Sequence, residues 1–163
     1  LECINAIKKS FPHMYIGAGS VLSKDDFEAS IEAGASFIVS PCVSDFLIEL
    51  SHKFKNVQYI PGFTTPTELY RALQLGCTVI KFFPAEHTKG TAFLKAIIEP
   101  FVKISFSIIP TGGIMPDKVK QYLAVPHVIA CGMSYIVDNA LINKNDFQTL
   151  ENRIKEIIKI IEQ

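Results

Sequence analysis

The chain has 163 residues, 48% of them hydrophobic and 20% charged, which fits one domain with a buried core. Lys plus Arg equals Asp plus Glu at 16 each, and this balance argues against the broad cationic footprint of a nucleic-acid or anionic-membrane binder. No apolar run approaches the ~20 residues that span a bilayer, and the start shows no signal-peptide pattern.

In chain order, residues 1–10 read as a helix that leads into the short apolar run 14–18. Residues 23–33 lead into 37–40, 44–54 into 57–61, and 66–75 into 79–83. A stretch at 92–99 precedes 107–111, and 116–123 precedes 128–131. In the tail, 145–162, Phe147, Leu150, Ile154, Ile157, Ile158 and Ile161 recur at helical steps and predict an amphipathic helix. Ser23, with Asp26 three residues on, forms a capping-box-like start. Pro66 and Pro116 suit first-turn positions, and Gly34 and Gly76 mark helix ends.

Short apolar strands alternating with helices imply parallel pairing with right-handed crossovers. The closures that fit are an open doubly wound sheet and part of an eight-strand barrel. A barrel usually needs ~200 residues or more, and the first helix has no strand before it. The expectation is therefore a (β/α)8 TIM barrel with about the first two β/α units absent from this sequence. Residues 1–163 would form one barrel domain, its C-terminal six units plus a final helix. Cys3, Cys42, Cys77 and Cys131 lack C-x-x-C spacing and read as buried free thiols, which fits a reducing cytoplasm.

Lys81 is the sharpest chemical feature. It sits in the strand pattern Val79-Ile80-Lys81-Phe82-Phe83, where alternation puts Val79, Lys81 and Phe83 on one face. Burial lowers an amine's pKa and so supplies the neutral nucleophile that Schiff-base chemistry needs. The plainer alternative is a strand-end lysine that reaches solvent or pairs with a carboxylate. Pro110-Thr111-Gly112-Gly113 and Cys131-Gly132-Met133-Ser134 end the last two expected strands. Either pair of small residues alone reads as a tight βα turn. At the ends of consecutive last strands, together, they favour a phosphate site. Gly17-Ala18-Gly19-Ser20 lacks the full dinucleotide fingerprint, but Ser20 offers a hydroxyl and an N–H to a carboxylate. Ser40-Pro41 and Pro61-Gly62 end strands at the same rim, and either shape its mouth or turn corners. Glu86 and His87 read as structural or solvated. The histidines share no metal-like spacing, so neither a metal nor a cofactor is expected.

At these residues the chain resembles the 2-keto-3-deoxy-6-phosphogluconate (KDPG) aldolase family. Residues 17–22, Ser40-Pro41, Ile60-Pro61-Gly62, Ile80-Lys81-Phe82-Phe83-Pro84-Ala85-Glu86, 110–114 and Gly132-Met133-Ser134 carry the resemblance. It implies a metal-independent class I aldolase that splits KDPG to pyruvate and glyceraldehyde 3-phosphate. Lys81 matches the Schiff-base lysine, Ser20 the carboxylate-binding hydroxyl and Phe83 the aromatic lining of the pyruvate pocket. Thr111, Gly112, Gly113 and Ser134 match the phosphate loops. Pro41 and Gly132 complete the candidate substrate-binding set. The implied partners are pyruvate and a phosphorylated 2-keto sugar acid, in a cytoplasmic homotrimer.

Cys42 and Met133 stand where the family commonly has glycine, and Met133 would narrow the phosphate loop. The family's general acid/base Glu and its neighbouring Arg, carried on an early strand, have no match here. The alternatives are a sister aldolase for the phosphogalactonate epimer or 4-hydroxy-2-oxoglutarate (KHG), a phosphate-binding barrel without imine chemistry such as a thiamine phosphate synthase, and a non-catalytic assembly protein.

Overall fold

A computed structural model describes residues 1–162. The chain divides into two compact units, Leu1–Lys81 and Phe82–Gln163.

The first unit holds α1 (Glu2–Ser10), β1 (Gly17–Ala18), α2 (Lys24–Glu32), β2 (Phe37–Val39) and α3 (Asp45–Ser51), then β3 (Gln58–Ile60), β4 (Gly62–Phe63) and α4 (Pro66–Gln74). Strand β5 (Val79–Phe82) crosses the division. Strands β1, β2 and β3 pair side by side and in parallel, with Gly17 opposite Phe37 and Ile38 opposite Tyr59. Phe27, Ile38, Leu47 and Ile48 form a fully buried core under this sheet, packed with Tyr59. Burying each such side chain is worth roughly 1.5–3 kcal/mol.

The helix starts follow the local chemistry. The Ser23 and Ser44 hydroxyls accept from the backbone N–H of Asp26 and Leu47, which caps α2 and α3. Thr65 and Glu68 form a reciprocal capping box on α4, with Pro66 in its first turn. Gly34 and Gly76 take positive φ values of 100° and 84° just past α2 and α4, where the chain turns toward a strand.

The second unit holds α5 (Gly90–Ile98), β6 (Ser107–Pro110), α6 (Val119–Leu123), α7 (Asn139–Asn143) and α8 (Phe147–Glu162). Parallel architecture persists after β6 only as isolated bridges, Ile108 to Val128 and Thr111 to Gly132.

Three expectations need correction. Residues 128–131 make no strand, because only those two bridges form and Ile129 stays 58% exposed. The first strand shrinks to Gly17–Ala18, since Phe37–Val39 offers it a three-residue partner and Met14 and Tyr15 lie exposed. The cysteines are free, but Cys3 and Cys42 are exposed and Cys77 and Cys131 half-buried. The tail forms the expected helix as α8, with Ile157 buried and Phe147, Ile154, Ile158 and Ile161 exposed. Helix α7, capped by the Asp138 carboxylate at 2.8 Å from the Ala140 N–H, carried no clear periodic signal.

Candidate active site

Lys81 lies on β5, whose alternation buries Ile80 and Phe82 completely and leaves Val79 and Lys81 half-buried. Its backbone N–H donates to the Pro61 carbonyl at 2.8 Å, which fixes the strand beside the turn out of β3. Burial pushes the Lys81 ammonium below the ordinary lysine value, because the charged form loses hydration.

At the ends of β1, β2 and β3 a buried relay holds the backbone in place. The Tyr59 hydroxyl donates to Ser40 Oγ at 2.8 Å, and Ser40 Oγ–H donates to the Val21 carbonyl at 2.5 Å. Burial pushes the Tyr59 phenol up to about 12, so it remains a donor. The next residue, Pro41, is half-buried, and its carbonyl would overlap any side chain at Gly62. Glycine there allows two backbones to touch. Ser20 is exposed, with a left-handed φ of 60°, and lines a cleft of about 390 Å³ with Gly19, Asp26 and Ser30. Such a conformation is uncommon for a residue with a Cβ. Neither Pro41 nor Lys81 lines that cleft.

In the second unit the sequence's candidates converge. The Thr111 N–H donates to the Phe82 carbonyl at 2.9 Å, and the Thr111 carbonyl accepts from Ala85 N–H at 2.9 Å. Gly112, at φ 110°, leaves room for the half-buried Phe83: a Cβ there would stand 3.2 Å from its ring and 3.2 Å from Pro84 Cα. Gly132 donates to the Pro110 carbonyl at 2.8 Å, and a side chain on it would collide with that of Thr111. Phe83, Thr111, Gly112 and Gly132 thus form one tight cluster.

Gly113 and Ser134 line a cleft of about 490 Å³. Met115 joins that lining, whereas Met133 is half-buried and does not, so the bulk expected at 133 falls outside the cleft. Arg153 of α8 also lines it, a cation that sequence reading missed because it sits on the helix that looked purely amphipathic. Glu86 accepts from the Tyr122 hydroxyl at 2.6 Å, in keeping with its structural reading. Among the described residues, no group of three or more His, Cys, Asp or Glu is placed to hold a metal ion, and no helix is long and apolar enough to cross a membrane.

The family model for KDPG and KHG aldolase matches residues 1–153. A 2-dehydro-3-deoxy-phosphogluconate aldolase of Treponema pallidum is 36% identical over 98% of this chain and 75% of its own length. A KHG/KDPG aldolase of Escherichia coli is 33% identical over 98% of the chain and 73% of its length. The crystal structure of a KDPG aldolase from Legionella pneumophila, with pyruvate captured as a covalent carbinolamine intermediate, superposes with a TM-score of 0.87. It is 30% identical, over 98% of this chain and 74% of that one.

Proposed function

The chain belongs to the KDPG and KHG aldolase family, carbon–carbon lyases, and from that premise we propose that it cleaves KDPG to pyruvate and glyceraldehyde 3-phosphate through a Schiff base on Lys81. The observation that carries this reading is a half-buried strand lysine whose pKa is depressed by burial. A larger neutral fraction makes its amine available for carbonyl addition.

Lys81 Nζ adds to the C2 carbonyl and water leaves, forming an iminium. A base takes the C4 hydroxyl proton, and the C3–C4 bond breaks with its electron pair flowing into the iminium. The aldehyde departs and an enamine remains. Protonation at C3 and hydrolysis of the imine release pyruvate and restore the amine. The base is assigned to no residue of this chain. Ser20 and Pro41 are read as the carboxylate end and Phe83 as an apolar lining. Thr111, Gly112, Gly113, Gly132 and Ser134 are read as phosphate loops: Gly112 and Gly113 let the backbone come close to an anion, while the Thr111 and Gly132 N–H groups are held by the Phe82 and Pro110 carbonyls and fix the loops in place.

The alternating strands and helices, with the bridged segment 128–132 in the place of a last strand, are read as part of the eight-unit barrel, in a cytoplasmic homotrimer; light scattering of the full-length protein tests the assembly. A second reading, cleavage of KHG, is supported by the E. coli relative named for both substrates. Incubation with pyruvate and borohydride, followed by peptide mass spectrometry, tests the imine. An adduct on the Lys81 peptide, lost in Lys81→Arg, is expected. An adduct of wild-type yield in Lys81→Arg would remove Lys81 from the mechanism.

A further inference from the structure

The cleft lined by Gly113 and Ser134 contains a group that glycine loops do not supply, a fixed guanidinium. Arg153 Nη1 donates to the Tyr135 carbonyl at 2.8 Å. Its Cζ lies 4.5 Å from the centre of the Tyr135 ring, within cation–π range. The ring is itself pinned, since the Tyr135 hydroxyl donates to Glu156 Oε2 at 2.8 Å, one turn along α8. The Arg153 side chain is 23% exposed, so it is partly stripped of water yet opens onto the cleft.

Its carboxylate neighbour is a loose one. Arg153 Nη1 stands 3.6 Å from Asp138 Oδ2, beyond hydrogen-bond length, and the Asp138 side chain is 43% exposed. The other oxygen, Asp138 Oδ1, accepts the Ala140 N–H at 2.8 Å as the cap of α7. Asp138 therefore holds its place for the helix and only partly balances the guanidinium. A planar cation with five N–H donors, held by its ring and carbonyl contacts, suits the oxygens of a phosphate better than one distant carboxylate.

We infer that Arg153 is the side-chain cation of the phosphate end, and that it selects phosphorylated keto acids over unphosphorylated ones. The inference rests on the reading of the Gly113 and Ser134 cleft as a phosphate site. Asp138, in the same cleft, opposes an anion and sets the affinity against which Arg153 works.

The test is calorimetric titration of the full-length protein with inorganic phosphate, in wild type, Arg153→Gln, Arg153→Lys and Asp138→Asn. Arg153→Gln is expected to weaken binding by about tenfold or more, the scale of a lost charge-assisted hydrogen bond. Arg153→Lys should fall between, because a point charge replaces a fork. Asp138→Asn keeps an N-cap side chain but removes the opposing charge, so it should tighten binding a few-fold; loss of a purely structural contact would not do this. Wild-type affinity in Arg153→Gln, or weaker binding in Asp138→Asn, would overturn the role of Arg153 and leave the phosphate reading standing. A wild-type protein that takes up no phosphate would overturn both. The imine on Lys81 is scored separately by pyruvate trapping in the wild type.

Discussion

The buried Tyr122 hydroxyl donates to Glu86 Oε1 at 2.6 Å, so one hydrogen bond ties the turn after β5 to α6. Gly90, at φ 64°, makes room for this pair: a Cβ there would lie 3.0 Å from Glu86 Oε1 and 3.3 Å from the Tyr122 oxygen. The Glu86 N–H donates to the Gly112 carbonyl at 3.0 Å, and Gly113 stands over Glu86 Cβ. The double-glycine loop therefore rests on a carboxylate held by a tyrosine. Burial and the Glu86 hydrogen bond both push the Tyr122 phenol up, so it stays a donor at all physiological pH.

Tyr122→Phe leaves the half-buried Glu86 carboxylate without this donor while keeping the ring's packing. A loss of about 1–3 kcal/mol of stability is expected, the cost of unpairing one buried charge-assisted bond. Urea unfolding checks it: the midpoint should fall with an unchanged slope. Weaker phosphate binding should accompany the loss, since the loop loses its footing.

Much of this arrangement was legible in the sequence because it rests on local rules. Gly34, Gly76, Pro66 and the Ser23 hydroxyl act within a few residues of themselves, so local chemistry alone marked the ends of α2 and α4. Lys81 stood out because an amine between two completely buried apolar neighbours is costly unless used. What escaped depends on contacts distant in sequence. Arg153 reaches its cleft through Tyr135 and Asp138, 18 residues back for the first, and no periodicity encodes that meeting. Residues 128–131 have strand-like composition, yet ladder pairing needs continuous partners, and β6 offers them only single bridges.

Gly132→Ala places a methyl group against the Thr111 side chain, with Cγ2 at 3.0 Å. Overpacking of this kind costs about 1–3 kcal/mol. The double variant Thr111→Ala/Gly132→Ala removes the obstructing atoms and should recover a large part of that loss. Thermal unfolding of the four proteins of this double-mutant cycle measures the coupling. Additive losses would mean that the two residues do not share this contact.

The Lys81 pKa, lowered by burial from the ordinary 10.5, makes a signed prediction for the imine. Below its pKa the amine is protonated and unreactive, so the rate of pyruvate trapping should rise with pH and level off before 10.5. In stability the sign is the same. Between the folded and unfolded pKa values the unfolded chain binds more protons, so folding becomes more favourable as pH rises through that window. Lys81→Met removes the titrating group, and a stability profile flattened there is the expected result. An unchanged slope in Lys81→Met would assign the pH dependence to another group.

The Thr65–Glu68 capping box gives a test of the same sign in the acid range, where a depressed carboxyl again makes folding more favourable as pH rises. Burial raises the Glu68 carboxyl, but bonds from the N–H groups of Thr64 and Thr65, each at 2.8 Å, and from the Thr65 hydroxyl at 2.9 Å prevail and hold it below its ordinary 4.5. Its stabilisation is therefore complete above the unfolded value and is lost as pH falls through the depressed folded value. Thr65→Ala deletes the cap and should cost about 1 kcal/mol at neutral pH. Glu68→Gln keeps an acceptor oxygen but no charge, so its stability should depend less on pH in the acid range than that of the wild type. Acid titration of folding in the two variants separates the contributions. If Glu68→Gln retains the wild-type acid slope, other carboxylates govern it, and the capping box acts through geometry alone.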